Sequence, residues 1–70
     1  MLAAIRWLLR QFNYNDRRRR LDLQILWPIC KQKADTLDHA KKAFAFHCYN
    51  DPAWRALGED EIYRRIEALT

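Results

Sequence analysis

Between Leu21 and Ala34 the chain reads LDLQILWPICKQKA, and four consecutive arginines, Arg17 to Arg20, stand directly before it. On a helix this stretch carries two apolar stripes. Leu23, Leu26, Trp27, Cys30 and Ala34 follow the spacing of one buried face, and Leu21, Ile25 and Ile29 form a second stripe on nearly the opposite side. A helix apolar on two sides needs neighbours on two sides, so this segment is expected to be the central helix. Pro28 within it cannot donate to the carbonyl of Gln24, and its ring crowds that turn, so a kink is expected. A strand from Leu21 to Trp27 is the rival, since those positions alternate. It finds little support in a chain without valine and with one glycine.

Seventy residues suffice for one domain, residues 1–70, with one modest core. Half of the residues are apolar, which argues against disorder and makes any apolar group left outside the core a candidate contact surface. The net charge of +4 is unevenly placed. Residues 1–35 hold eight Lys and Arg against three Asp, while residues 36–70 hold five against six acids. The basic half suits an acidic surface, a phosphate backbone or anionic lipid. Two cysteines, Cys30 and Cys48, are too few for a disulfide scaffold and fall on apolar faces, as expected of reduced thiols in a cytosolic protein. No run is long enough to span a bilayer. Arg6 and Arg10 interrupt the N-terminal apolar run, so no secretory signal is expected.

Leu2 to Phe12 reads as an amphipathic helix with Leu2, Ile5, Leu8, Leu9 and Phe12 facing the core. Arg6, Arg10 and Gln11 lie opposite, with Trp7 between the arginines, either covered by another helix or exposed as an aromatic anchor. A membrane surface is not expected for this helix, because so small a chain needs the Leu/Ile face for its own core. Asn13 to Asp16 is a turn by composition, with Asp16 capping the central helix. Arg17, Arg18, Arg19 and Arg20 would then occupy a helical first turn, opposing its dipole and forming an anion site with the free amides.

Asp35 and Asp38 suit the start of a helix over roughly Thr36 to Tyr49, lined by Leu37, Ala40, Phe44, His47 and Cys48. Asp51-Pro52 opens a short helix that buries Trp54 and Leu57 and stops at Gly58. Glu59 to Glu61 begin a last helix that buries Ile62, Ile66 and Leu69. The expected fold is all-α: a compact bundle of four to five short helices around the Pro-kinked central one.

Catalysis is not expected. The chain has no serine, and His47 and Cys48 are neighbours on a helix, pointing roughly 100° apart. Cys30, His39, His47 and Cys48 lack the paired spacing of a zinc site. No cofactor, metal or small-molecule substrate is expected. The partner-binding residues are expected to be Arg6, Trp7, Arg10, Arg17, Arg18, Arg19 and Arg20, meeting an acidic protein or nucleoprotein surface. The alternative is nucleic acid itself, with phosphates on the arginines and Trp7 or Tyr14 stacking on a base. Oligomerisation through a leftover apolar face is a further alternative.

From Leu26 to Leu57 the chain resembles small helical accessory proteins encoded by phages and prophages. The resemblance rests on Leu26-Trp27-Pro28, on the spacing of Leu37, Ala40, Ala43-Phe44 and His47, and on Asp51-Pro52-Ala53-Trp54. It covers under half of the chain, at packing and capping positions. It implies a viral product acting inside a bacterium, of which the anti-CRISPR inhibitors that dock on host nucleoprotein complexes are one group. Many of those are acidic nucleic-acid mimics, and this basic chain departs from them. The resemblance therefore implies binding to an acidic face or to bound nucleic acid.

Overall fold

The computed structural model describes residues 2–70, except for the side chains of Leu2 and Phe12. Helix α1 spans Leu2–Leu21 and continues without a break through a π-helical turn, Asp22–Leu26, into α2, Trp27–Lys33. Then follow α3 (Leu37–Asn50), α4 (Pro52–Arg55) and α5 (Glu59–Glu67). No strand occurs among the described residues, so Leu21 to Trp27 is helical. The fold is the all-α bundle expected from the pattern.

Pro28 explains the π turn. It has no N–H for the carbonyl of Gln24, and its ring needs room there. The backbone widens just upstream, and the Trp27 amide donates to Asp22 O, five residues back. The expected kink takes this form. The wide turn also resets which side of the helix meets the body. Arg19 and Asp22 face inward before it, and Trp27 faces inward after it, five positions on from Asp22.

Phe44 is the centre of the core. Its ring lies 5.5 Å from Trp27, tilted, and 5.6 Å from Trp54, edge-on. Such aromatic pairs contribute about 0.5–1.5 kcal/mol beyond the area they bury. Ala40, Cys48, Ile62 and Ile66 complete the buried cluster, with Leu26, Cys30, Ala34, Leu57 and Leu69 packed against it.

Local signals fix most of the remaining boundaries. Thr36 Oγ1 accepts from the His39 amide at 3.1 Å, so Thr36 caps α3 in place of Asp35, and Asp38 instead pairs with Lys42. Asp51 ends α3 and caps α4, its Oδ2 accepting from the Ala53 amide at 3.1 Å. Gly58 adopts φ +88°, a backbone conformation that side chains disfavour. Lys41 Nζ donates to Glu67 O at 2.8 Å, placing a cation on the open carbonyls at the end of α5.

Three expectations are corrected. Asn13 to Asp16 is not a turn, and Asp16 is no cap, because α1 runs straight through them. That segment has no Gly or Pro, and two ties hold it helical: Arg20 Nη2 donates to Asp16 Oδ2 at 2.6 Å, and Arg19 is fixed to α4. Second, Leu21, Ile25 and Ile29 remain exposed, as does Leu37. Helices α3, α4 and α5 all gather on the other side of the long helix, and no element among the described residues covers its outer stripe. Third, Ile5, Leu8 and Leu9 are 53%, 59% and 56% exposed. The N-terminal half of α1 projects past the body as an arm, so its apolar face has nothing to pack on; Leu2 and Phe12, assigned to the same face, lie outside the described side chains. The molecule measures 50 × 22 × 18 Å.

Candidate functional site

The arginines divide into two groups. Arg18 and Arg19 are tied into the body, and Arg20 is paired within its own helix. Arg18 Nη2 donates to Asp51 Oδ1 at 3.4 Å, and its Nε lies 3.9 Å from Asp22 Oδ1. Arg19 is only 5% exposed. Its Nη1 donates to Ala53 O at 2.6 Å, its Nη2 lies 4.0 Å from Asp16 Oδ1, and its Nε has no partner. Burial first, and Arg65 second, push the Arg19 guanidinium below its ordinary pKa, with Asp16 opposing them. Arg20 is held by Asp16. None of them stands in a helical first turn, because the helix continues upstream and its amides are bonded within it. The expected anion site at a helix start therefore does not form.

Arg6, Arg10 and Arg17 are different. All are exposed, and none takes an ion-pair partner among the described residues. At roughly 100° per residue they fall within about 40° of one another, in one line along α1. Trp7 and Tyr14, seven positions apart on the adjoining side, are 59% and 55% exposed. Shallow clefts follow this line, one between Trp7, Arg10, Gln11 and Tyr14 and another between Ala3, Arg6, Trp7 and Arg10. Trp7 is thus exposed rather than covered by a helix. The structure brings Arg6, Trp7, Arg10 and Arg17 to one face, turns Arg18 and Arg19 toward the body, and leaves Arg20 exposed beside the line in its pair with Asp16. Tyr14, assigned to a turn, joins that face because the turn is helix.

A second polar cluster lies where α1 meets α3 and α4. Asp22, 9% exposed, accepts on Oδ2 from His47 Nε2 and from Trp54 Nε1, each at 2.8 Å. Asp22, His47 and Asp51 place ligand atoms within 4.8 Å of one another, which is metal-like spacing. The donors are already spent, however. Asp22 Oδ2 holds two N–H groups, Asp51 Oδ2 holds the Ala53 amide, and Arg18 supplies positive charge to both carboxylates. The arrangement locks three helices together. Cys30, His39, His47 and Cys48 do not gather as a ligand set among the described residues. Cys48 is fully buried, and that burial, with Asp22 nearby, pushes its thiol up to about 12. Sequence reasoning missed Asp22 as the hub. A lone carboxylate between Leu21 and Leu23 was the available signal.

An apolar groove also opens on the body, with Phe44, Trp54 and Ile66 at its floor and Arg64 and Arg65 at its rim. Both rim guanidiniums are bonded to Glu61.

No family model, no curated protein and no solved structure matches this chain.

Proposed function

We propose that this is a non-catalytic binding protein that docks through α1 onto an acidic surface of a larger protein or nucleoprotein partner. The observation that carries the reading is the line of uncommitted arginines, Arg6, Arg10 and Arg17, flanked by exposed Trp7 and Tyr14. Such a face supplies charge-assisted bonds and steers association, while the aromatic groups supply contact area. In this reading the protein acts in the host-cell cytosol as a phage-type inhibitor, in the manner that the resemblance to small phage accessory proteins implies. It has no small-molecule substrate. Arg18, Arg19 and Arg20 take a supporting role, since their guanidiniums already serve Asp51, Ala53 and Asp16.

The test starts with partner capture from the host, with nuclease controls, followed by association kinetics. Arg6→Glu/Arg10→Glu/Arg17→Glu is expected to slow association by about tenfold or more at low salt. Unchanged kinetics remove the reading. The second reading, direct contact with single-stranded nucleic acid, is favoured by the exposed Trp7 and Tyr14 beside the arginines. Three phosphate contacts at about 0.7 each predict a log–log salt slope near −2, and a slope of zero excludes it.

A further inference from the structure

An acidic surface meeting the arginine line leaves a large part of the arm in water. Ala3, Ala4, Ile5, Trp7, Leu8 and Leu9 are all exposed, and they surround the arginines on both sides. On a helical wheel Leu8 falls roughly 160–200° from Arg6 and Arg10, at about 100° per residue. Gln11 is the one polar residue within that apolar arc. No acidic residue precedes Asp16.

We propose that the arm is a membrane-surface anchor for anionic lipid: it lies in the bilayer interface with Ile5, Leu8 and Leu9 among the acyl chains. Three observations select this occupant. The first is charge: the arm carries arginines and no acid, so its complement is anionic. The second is shape. A protein groove covers one side of a helix, whereas here apolar groups flank the arginines on both sides. A lipid interface accommodates that arrangement, since the guanidiniums extend to the phosphates while the flanks sink. The third is size. The arm is about 16 Å long and offers about half a dozen side chains, against the roughly 20–30 residues per side of a standard protein interface, so pairing with the arm of a second copy buries too little. No helix among the described residues is long and apolar enough to cross a membrane, so the arm lies on the surface. The reason for expecting no membrane contact was that this face fills the core, and Ile5, Leu8 and Leu9 do not. The lipid contact shares Arg6, Trp7 and Arg10 with the proposed docking and adds Ile5, Leu8 and Leu9, which the docking leaves in water.

The experiment is co-sedimentation of the full chain with phosphatidylglycerol-containing vesicles and with pure phosphatidylcholine vesicles, read together with tryptophan emission. Trp27 and Trp54 are buried, so a blue shift on binding reports Trp7. The expected result is binding to the anionic vesicles with a blue shift, and a loss of roughly fivefold for each of Arg6→Gln and Arg10→Gln. Leu8→Gln/Leu9→Gln is expected to reduce binding by at least about tenfold while leaving the thermal unfolding of the body unchanged. Lack of partition into anionic vesicles overturns the proposal. So does binding that is indifferent to Leu8→Gln/Leu9→Gln, which marks simple charge attraction. Self-association by light scattering that Leu8→Gln/Leu9→Gln abolishes assigns the arc to a second copy and equally overturns it. Arg17→Glu in the partner assay tests the docking separately, since Arg17 lies outside the arm's apolar segment.

Discussion

The two halves of the long N-terminal helix both carry apolar stripes, but only the downstream half has one that is covered. Upstream of the arginines, Ile5, Leu8 and Leu9 stand in solvent. Downstream, Trp27 is buried and Leu26 and Cys30 pack beside it. The difference lies in what is opposite. Around Trp27 the chain returns as α3, and Phe44 meets its ring; beside the arm no described element returns. Helical periodicity specifies a face that would gain from burial, and only another element makes the burial happen. The boundary falls at Arg19 and Asp22, the two polar groups that are themselves buried, where α4 reaches back to the helix.

This contrast can be broken by substitution. Trp54→Ala removes a fully buried ring that touches Phe44 and hydrogen-bonds Asp22, and it is expected to cost about 3–5 kcal/mol in urea unfolding. Leu8→Ala on the arm is expected to stay within about 0.5 kcal/mol. If Leu8→Ala costs as much as Trp54→Ala, the arm is packed and the division fails. Next comes the boundary itself. Asp22→Ala strands the His47 and Trp54 donors and leaves Arg18 with Asp51 alone, and is expected to cost about 3 kcal/mol. Asp16→Ala removes an exposed pair with Arg20 and the long 4.0 Å approach of Arg19, together worth about 0.3–1 kcal/mol. Equal costs would show that Asp22 is not the hub.

Gly58→Ala probes the left-handed residue between α4 and α5. At φ +88° it is expected to cost of order 1–3 kcal/mol. The low end applies, because nothing lies within 4 Å of the added Cβ. A neutral result in differential scanning calorimetry would mean that the α4–α5 junction relaxes. The smallest effect is electrostatic. Hydrogen bonds from Arg64 and then Arg65 lower the Glu61 carboxyl to about 2. A depressed folded-state pKa stabilises above the unfolded value of about 4.3, and that contribution is lost as pH falls from there through the folded value. Carbon-13 NMR titration is expected to place the Glu61 midpoint near 2, rising toward 4.3 in Arg64→Ala/Arg65→Ala. A midpoint already near 4.3 in the unsubstituted chain would show that these exposed pairs do not persist.

Much of the body was legible in the sequence. Asp51-Pro52 and Gly58 mark their boundaries through local backbone chemistry, and Ala40, Phe44, Cys48, Ile62 and Ile66 follow from periodicity alone. The face proposed for docking was partly legible. Arg6, Trp7, Arg10 and Arg17 share it, while Arg18 and Arg19 are engaged by Asp51 and the Ala53 carbonyl, since charge along a sequence says nothing about which group a guanidinium will meet across the fold. Asn13 to Asp16 misled for a related reason: turn composition is a weak preference, and ties to Arg20 and α4 override it.

The sequence by itself determined that this chain is helical, where most of its helices begin and end, and which faces of α3 and α5 are apolar, because those properties rest on local hydrogen bonding and apolar spacing. Tertiary structure decided which apolar stripes are covered and which arginines stay free. Those outcomes depend on where α3, α4 and α5 lie in space. With all three on one side of the long helix, one stripe becomes core and another stays in water. Asp16, Asp22, Asp51 and the Ala53 carbonyl engage three of the arginines and leave Arg17 free beside Arg6 and Arg10.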